Sequence, residues 1–321
     1  MTRVQVNDLK AYYVIEQNGS LKNIKAVDGV SLNIEEYDFL AIVGESGCGK
    51  TTLAKVLYGA LDPALSIVAG NVRYSYEDCE YEISPTRNTL PKMWWKKISY
   101  IPQGSLSALN PIRKVGQIFR DLLSSHDVPF EIKEIEKHIG LVNLSGQVLQ
   151  MYPFELSGGM KQRVVMALAT FLNPRIIIAD EPTSALDVVT QRDILGLLSF
   201  LHKSKQISFV FITHDISLIP GLANVVAVMY CGCIVEYGLV DEVFSNPLHP
   251  YTKFLLSSIP RIGDKSEKKP IPGTVVSLVN PPSGCRFHSR CPYKSDSCEN
   301  SKPNMIKVGS GRHEVACWLY K

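Results

Sequence analysis

"FLAIVGESGCGKTTLAKVLYGAL", Phe39 to Leu61, decides the fold. Its opening, "FLAIVG" (Phe39 to Gly44), is short and apolar on both alternating faces, as in a strand covered by helices on each side. "TTLAKVLYGAL" then has helical spacing. Between the two lies "GESGCGKT", Gly44 to Thr51, which fits G-x-x-x-x-G-K-[ST] in the context that this motif requires, after a strand and at the start of a helix. Glycines let successive backbone N–H groups wrap around phosphates, and the helix N-terminus adds a positive dipole end. Lys50 can neutralise β- and γ-phosphates, and Thr51 can offer its hydroxyl to Mg²⁺. A chance Gly-rich turn would lack such flanks, so the stretch reads as a nucleotide-phosphate site.

The same alternation continues outward. "ISYIPQ" (Ile98 to Gln103), "RIIIAD" (Arg175 to Asp180), "SFVFITHD" (Ser208 to Asp215) and "VVAVMY" (Val225 to Tyr230) predict buried strands. "KQRVVMALATFL" and "QRDILGLLSFLHKS" predict helices between them, an α/β pattern around a parallel sheet. The segment of about 104–160 is mostly helical and polar, with "PFEIKEIEKHIGLVNL" its clearest amphipathic stretch, and reads as an inserted helical subdomain. "PRIGDKSEKKPIPG" (Pro260 to Gly273) turns to Lys, Pro, Gly and Ser and marks a linker. The expected division is a domain over 1–255 and an extension over 256–321.

Composition sets the limits. Hydrophobic residues make up 45% and charged residues 20% of the 321, ordinary globular usage that builds a core without staples. A net charge of +3, from 34 basic and 31 acidic residues, is too mild to argue for nucleic acid. "MTRVQVNDLK" has no apolar stretch behind its charges, so no signal peptide is expected. The apolar run "VVAVMYCGCIV" falls far short of the ~20 residues that a membrane helix needs. A soluble, cytosolic protein is expected, in which thiols stay reduced.

"RIIIADEP" ends a buried strand with two carboxylates, which strand geometry sends to opposite faces. Asp180 is suited to the Mg²⁺ shell, and Glu181 to orienting or deprotonating a water in line with the γ-phosphate. Alone, such a pair would be a solvated strand end; beside a phosphate loop the catalytic reading wins. In "ELSGGMKQRV", Ser157, Gly158 and Gly159 open a second helix able to meet an anion, although Ser157 could simply cap it. Two anion-binding helix starts on one chain point to a nucleotide shared with another subunit.

At this point the sequence closely resembles the nucleotide-binding subunits of ABC transporters, over nearly its whole length. "GESGCGKT" matches their Walker A motif, "YIPQ" the Q-loop, "LSGGM" the signature, "IIIADE" Walker B, "SALD" (Ser184 to Asp187) the D-loop and "FITHD" the switch histidine. Met160 stands where the common signature has Gln, a mild departure because the Ser and both Gly are intact. The resemblance implies a P-loop NTPase (RecA-like) core and two subunits closing head to tail around two ATP. ATP would be held by Gly44, Glu45, Ser46, Gly47, Cys48, Gly49, Lys50, Thr51 and Thr52, with Ser157, Gly158 and Gly159 of the signature. Gln103 would touch Mg²⁺ alongside Thr51 and Asp180, His214 would contact the γ-phosphate, and Asp187 would lie at the dimer interface. Tyr13 would stack on adenine, with Tyr12 the fallback. Cys48 reads as a small residue that fits, and Cys79, Cys231 and Cys233 as structural.

The tail narrows the resemblance. "NPLHPYTKFLLSSIP", "PGTVVSL", "NPPSGCRFHSRCPY" and "HEVACW" resemble the C-terminal extension of oligopeptide and dipeptide importer ATPases of the DppD/OppD type. Such subunits imply two membrane permease subunits, a homologous second ATPase and, indirectly, an external solute-binding protein, at the cytoplasmic face of the membrane. Cys285, Cys291, Cys298 and Cys317 are spaced C-x5-C-x6-C-x18-C, which fits neither the tight pairs of zinc sites nor the common ferredoxin spacings. The resemblance implies a [4Fe–4S] cluster there; Zn²⁺ and free thiols are the alternatives, with His288 a substitute ligand in the zinc case. Other readings are import of nickel or oligosaccharide, or a soluble ABC ATPase outside transport. The latter class usually carries paired cassettes, coiled coils or large zinc insertions, none of which appears.

Overall fold

The structure, a computed structural model, describes residues 2–17, 19–77, 79–104, 107–184, 186–259 and 271–320. Residues 260–270 of the expected linker, 105 and 106 of the expected helical insertion, and Ala185 of the expected D-loop lie outside the described residues. The chain forms two compact units, one made of Met1–Lys92 with Val210–Lys321 and the other of Met93–Phe209. The tail is not a unit of its own: it belongs to the first.

In the first unit an antiparallel sheet has the order Ser20–Ile34, Thr2–Gln17, Leu65–Tyr76, Cys79–Ser84, Arg87–Asn88. Val30, Leu32 and Ile34 face inward while Ser31 and Asn33 face out, the period-two pattern of a half-buried strand. A second set of strands carries the phosphate loop. Phe39–Val43, buried throughout, pairs in parallel with Val225–Tyr230, Leu40 opposite Val225 and Val43 opposite Val228. Cys233–Leu239 adds antiparallel to that strand, and Glu314–Val315 of the tail adds antiparallel again, with Val315 opposite Glu236. The tail therefore extends the sheet that holds the loop, with Ile306–Lys307 beyond it. Phe287, 0% exposed, carries the same attachment into the core: its ring meets Tyr230 at 5.2 Å and Tyr251 at 5.5 Å.

In the second unit Ile98–Ile101 pairs in parallel with Ile176–Asp180. Helices cover Val115–Ser124, Ile132–Leu141, Gly158–Phe171 and Val188–Lys205. The amphipathic stretch expected from sequence is the helix Ile132–Leu141, which buries Ile135, His138 and Ile139. His138 places Nε2 3.1 Å from the Ala167 carbonyl and 3.0 Å from the Thr170 hydroxyl, and burial pushes its pKa down to about 4. It stays neutral at pH 7 and acts as core. The strand Ser208–Thr213 carries the chain from this unit back to the first.

Candidate active site and cysteine tail

Two glycines show why the phosphate loop needs its composition. A Cβ on Gly44 would lie 2.0 Å from the Met229 carbonyl oxygen, and one on Gly49 (φ 108°) 1.9 Å from the Ala26 carbonyl oxygen. The loop thus threads between two backbones that admit no side chain. Gly49 caps the helix Lys50–Tyr58, whose other end closes on Gly59 in the left-handed region. Lys50 is buried, and its ammonium donates to the carbonyls of Gly44 at 2.8 Å and Glu45 at 3.0 Å. Ser46 and Gly47 are exposed on the loop, Thr51 is half-buried and Thr52 buried. Cys48 is buried 3.8 Å from the Lys50 ammonium, and burial raises its pKa, so it stays a thiol.

Tyr13 and Tyr12 now separate. The Tyr12 hydroxyl donates to Asp28 at 2.6 Å, whereas the Tyr13 hydroxyl reaches Asp62 among the described residues at a long 3.4 Å. Tyr12 is committed to structure, and Tyr13 is the freer ring. His214 follows the strand Ser208–Thr213 and is exposed.

In the second unit the strand Ile176–Asp180 ends on a carboxylate that is 0% exposed, and the Tyr100 hydroxyl donates to it at 3.0 Å. Glu181 follows with φ 45°, a left-handed conformation that costs a non-glycine residue roughly 1–3 kcal/mol. The Gln103 amide donates to the Glu181 carboxylate at 3.3 Å, so the structure brings the Q-loop and Walker B residues together. Ser157 caps the helix Gly158–Phe171 by accepting from the Met160 N–H at 3.3 Å. Ser157 and Gly158 are exposed, and Gly159 is close-packed, its missing Cβ leaving room for Thr190 at 2.8 Å. Asp187 caps Val188–Lys205, accepting from the Thr190 hydroxyl at 2.6 Å and N–H at 2.9 Å. Those bonds lower its pKa, the hydroxyl's first.

The tail brings its cysteines together. Cys285, Cys291, Cys298 and Cys317 all line one cavity of about 70 Å³, with His249, His288 and Phe287 among the walls. Burial pushes the Cys285 thiol up to about 12, and its three cysteine neighbours push the same way. Cys291 and Cys317 are raised for the same reasons. As placed, however, no group of three or more His, Cys, Asp or Glu among the described residues is set to hold a metal ion. The Nδ1 of His288 meets the Cys285 carbonyl at 2.9 Å.

Three residues that motif reading missed support these sites. Tyr100 steadies Asp180, Tyr251 accepts from the Glu45 N–H at 2.8 Å, and Arg290 grips the Glu45 carboxylate at 2.7 and 3.0 Å. Tyr251 and Arg290 sit 206 and 245 residues from Glu45, a separation that no local motif spans.

Comparison with known proteins accords with this geometry. The model of the ABC transporter family matches residues 27–184, and that of the oligopeptide/dipeptide transporter C-terminal region matches 235–298. The dipeptide transport ATP-binding protein DppD of Caldanaerobacter subterraneus subsp. tengcongensis is 44% identical over 99% of this chain and 97% of its own. The chain belongs to the ABC transporter ATP-binding subunits of the oligopeptide/dipeptide type. It is an ATPase of that family. Other members include the oligopeptide transport protein AppD of Bacillus subtilis, 37% identical over 100% of this chain and 97% of its own. The dipeptide transport protein DppF of Escherichia coli is 37% identical over 98% and 93%. Among solved structures, the dimeric ATP-binding cassette MJ0796 bound to ADP and Pi aligns at a TM-score of 0.61 and 25% identity, covering 74% of this chain and 98% of that one. Among the described residues no helix is long and apolar enough to cross a membrane.

Proposed function

We propose that this ATPase powers uptake of dipeptides or short oligopeptides, through two permease subunits fed by an external binding protein, from the cytoplasmic face of the membrane. It would work head to tail with a homologous second ATPase. The observation that carries the reading is the phosphate loop: glycines without room for a side chain, a helix starting at Lys50, and a buried ammonium held over the loop. Lys50 neutralises the β- and γ-phosphates while the loop N–H groups, Gly44 to Thr52, cradle them. Thr51, Asp180 and Gln103 are the residues that would hold Mg²⁺, which would neutralise phosphate charge. Glu181 orients or deprotonates the attacking water, and its bond to Gln103 links the base to the residue that reports on the metal. His214 contacts the γ-phosphate, Tyr13 stacks on adenine, and Ser157, Gly158, Gly159 and Asp187 serve the partner's nucleotide.

Glu181→Gln should bind ATP and lower turnover by about 10²–10⁴-fold, the usual worth of a general base. Lys50→Ala should lose ATP affinity. Turnover of Glu181→Gln at the parent rate would sink the base assignment, and unchanged ATP binding by Lys50→Ala would sink the phosphate-loop reading.

The tail offers the donor chemistry of an iron–sulfur cluster, four soft sulfur ligands lining one cavity, although as placed they do not form a metal-holding group. Cys285, Cys291, Cys298 and Cys317 would hold a [4Fe–4S] cluster, which would cross-link a segment with little regular structure. Thiols raised by burial release protons when a cation takes them, so loading strengthens as pH rises. Zn²⁺ is the other ion that a four-thiol set accepts. Anaerobic purification followed by iron, sulfide and zinc analysis decides it. About four irons per chain support the cluster, zinc replaces it, and neither overturns both.

A further inference from the structure

Glu45 poses an electrostatic problem. It is the second residue of a loop whose N–H groups and lysine serve a polyanion, and a free carboxylate there would repel phosphates. The structure resolves the conflict from the tail. Arg290 donates from Nη1 and Nη2 to the two Glu45 carboxylate oxygens at 2.7 and 3.0 Å, a bidentate pair whose side chains are 3% and 20% exposed. The guanidinium is itself immobilised. Its Nε donates to the Pro272 carbonyl at 2.6 Å and Nη1 also to the Tyr230 hydroxyl at 3.2 Å, with the Tyr230 and Phe287 rings 5.7 and 5.9 Å away.

Glu45 is pinned on its backbone as well. Its N–H donates to Tyr251, and its carbonyl accepts from the Lys50 ammonium at 3.0 Å. One residue thus joins the tail's arginine on one side to the phosphate-handling lysine on the other. The arginine ends a short 3-10 turn, His288–Arg290, framed by Cys285 and Cys291: the His288 N–H donates to the Cys285 carbonyl at 3.0 Å, and the Cys291 N–H to the His288 carbonyl at 3.2 Å. The turn that carries the guanidinium is thus bonded through its backbone to two of the cysteines that line the cavity.

We propose that Arg290 is a positioning residue of the phosphate loop, neutralising Glu45 so that the loop accepts a nucleotide polyphosphate, and that it makes ATP affinity depend on the order of the cysteine tail. The proposal rests on the ATP-binding reading above. It assigns the tail a task at the nucleotide rather than at its own end of the molecule.

The test is ATP titration of the full chain by calorimetry, with the melting temperature of each variant recorded beside it. Arg290→Gln should weaken ATP binding by about tenfold or more, the effect of stranding a charge in a partly buried pair. Adding Glu45→Gln should recover most of that loss, because the stranded carboxylate is gone; a merely structural arginine would show no such recovery. Arg290→Lys keeps the charge and should hold affinity within about threefold of the parent, a smaller loss than that of a severed charged hydrogen bond. It serves as the test if Arg290→Gln does not fold. Parent affinity in Arg290→Gln, a double variant no better than the single, or an Arg290→Lys loss of tenfold each overturns the proposal. Lys50→Ala is titrated in parallel. If it too binds ATP like the parent, the ATP-binding reading has failed; if only Arg290→Gln binds normally, only the arginine's role has.

Discussion

The phosphate loop and the cysteine tail belong to the same compact unit but are held by opposite means. The loop is fixed by backbone: glycines pass under the Met229 and Ala26 carbonyls, and the Gly232 N–H donates to the Cys48 carbonyl at 2.9 Å. The tail has little backbone order. Among its described residues, 271–320, the regular elements are two two-residue strands, a five-residue helix and two 3-10 turns. Beside the short strand pairing at Val315, four side-chain pairs tie it to acids of the body: Arg286 on Asp28, Arg290 on Glu45, Arg312 on Asp38 and His313 on Glu236. A backbone-held region tolerates changes of side chain and rejects added atoms. A region held by side chains does the reverse, and its order follows whatever its anchors and its thiols are doing.

The largest effect that separates the two is steric. Gly49→Ala would put a methyl 1.9 Å from the Ala26 carbonyl oxygen and 2.9 Å from the Met229 methyl, at φ 108°. Backbone cannot step aside there, so a stability loss of about 3 kcal/mol or more is expected, with loss of ATP binding. Gly47→Ala is the comparison inside the same loop. At φ 77° with nothing within 4 Å of a new Cβ, it should cost only the left-handed strain, about 1–2 kcal/mol. Denaturant unfolding of both variants checks this. Equal stabilities would mean that the loop is not held by backbone contact.

The same contrast governs what could be read in advance. The buried strands Phe39–Val43, Ile176–Asp180 and Val225–Tyr230 were legible because every position but the terminal Asp180 is apolar or aromatic, which only a covered sheet explains. The phosphate loop was legible because its backbone geometry demands glycine at fixed positions. The antiparallel sheet of Thr2–Gln17 and Ser20–Ile34 was not foreseen. Its register shifts between Val6 and Leu9, between Leu9 and Lys10 and between Ala11 and Tyr13, with Asp8 at φ 40°, and each shift breaks the alternation that marks a strand. The cysteine spacing named the four thiols but could not say that they share a cavity, because Phe287 and Arg290 pack on the body and Gly284 lies against the Cys298 backbone. Gly284 has only 2.3 Å between a would-be Cβ and the Cys298 carbonyl oxygen. Arg290 lies inside the tail stretch "NPPSGCRFHSRCPY", but its partner is 245 residues away, so the stretch alone does not reveal its task.

A smaller and sharper test compares two arginines of the tail. They grip the two ends of one strand: Arg312 holds Asp38, just before Phe39–Val43, and Arg290 holds Glu45, just after it. Five residues of strand separate those ends by roughly 16 Å. Arg312 donates to both Asp38 oxygens at 3.1 and 2.9 Å and to the Tyr237 hydroxyl at 2.7 Å. Asp38 also accepts from the Glu35 N–H at 2.9 Å and from the Asn224 amide at 3.3 Å, so losing the arginine does not orphan it. The arginine's side chain is 33% exposed, which lets solvent screen the pair. Arg312→Ala should therefore cost about 1 kcal/mol in urea unfolding, below the usual range for charged hydrogen bonds. ATP affinity should not change, because the grip it loses lies at the end of the strand away from the phosphates. A fall in affinity matching that of Arg290→Gln would show that the tail acts on the loop as one block, and Arg290 would lose its particular role.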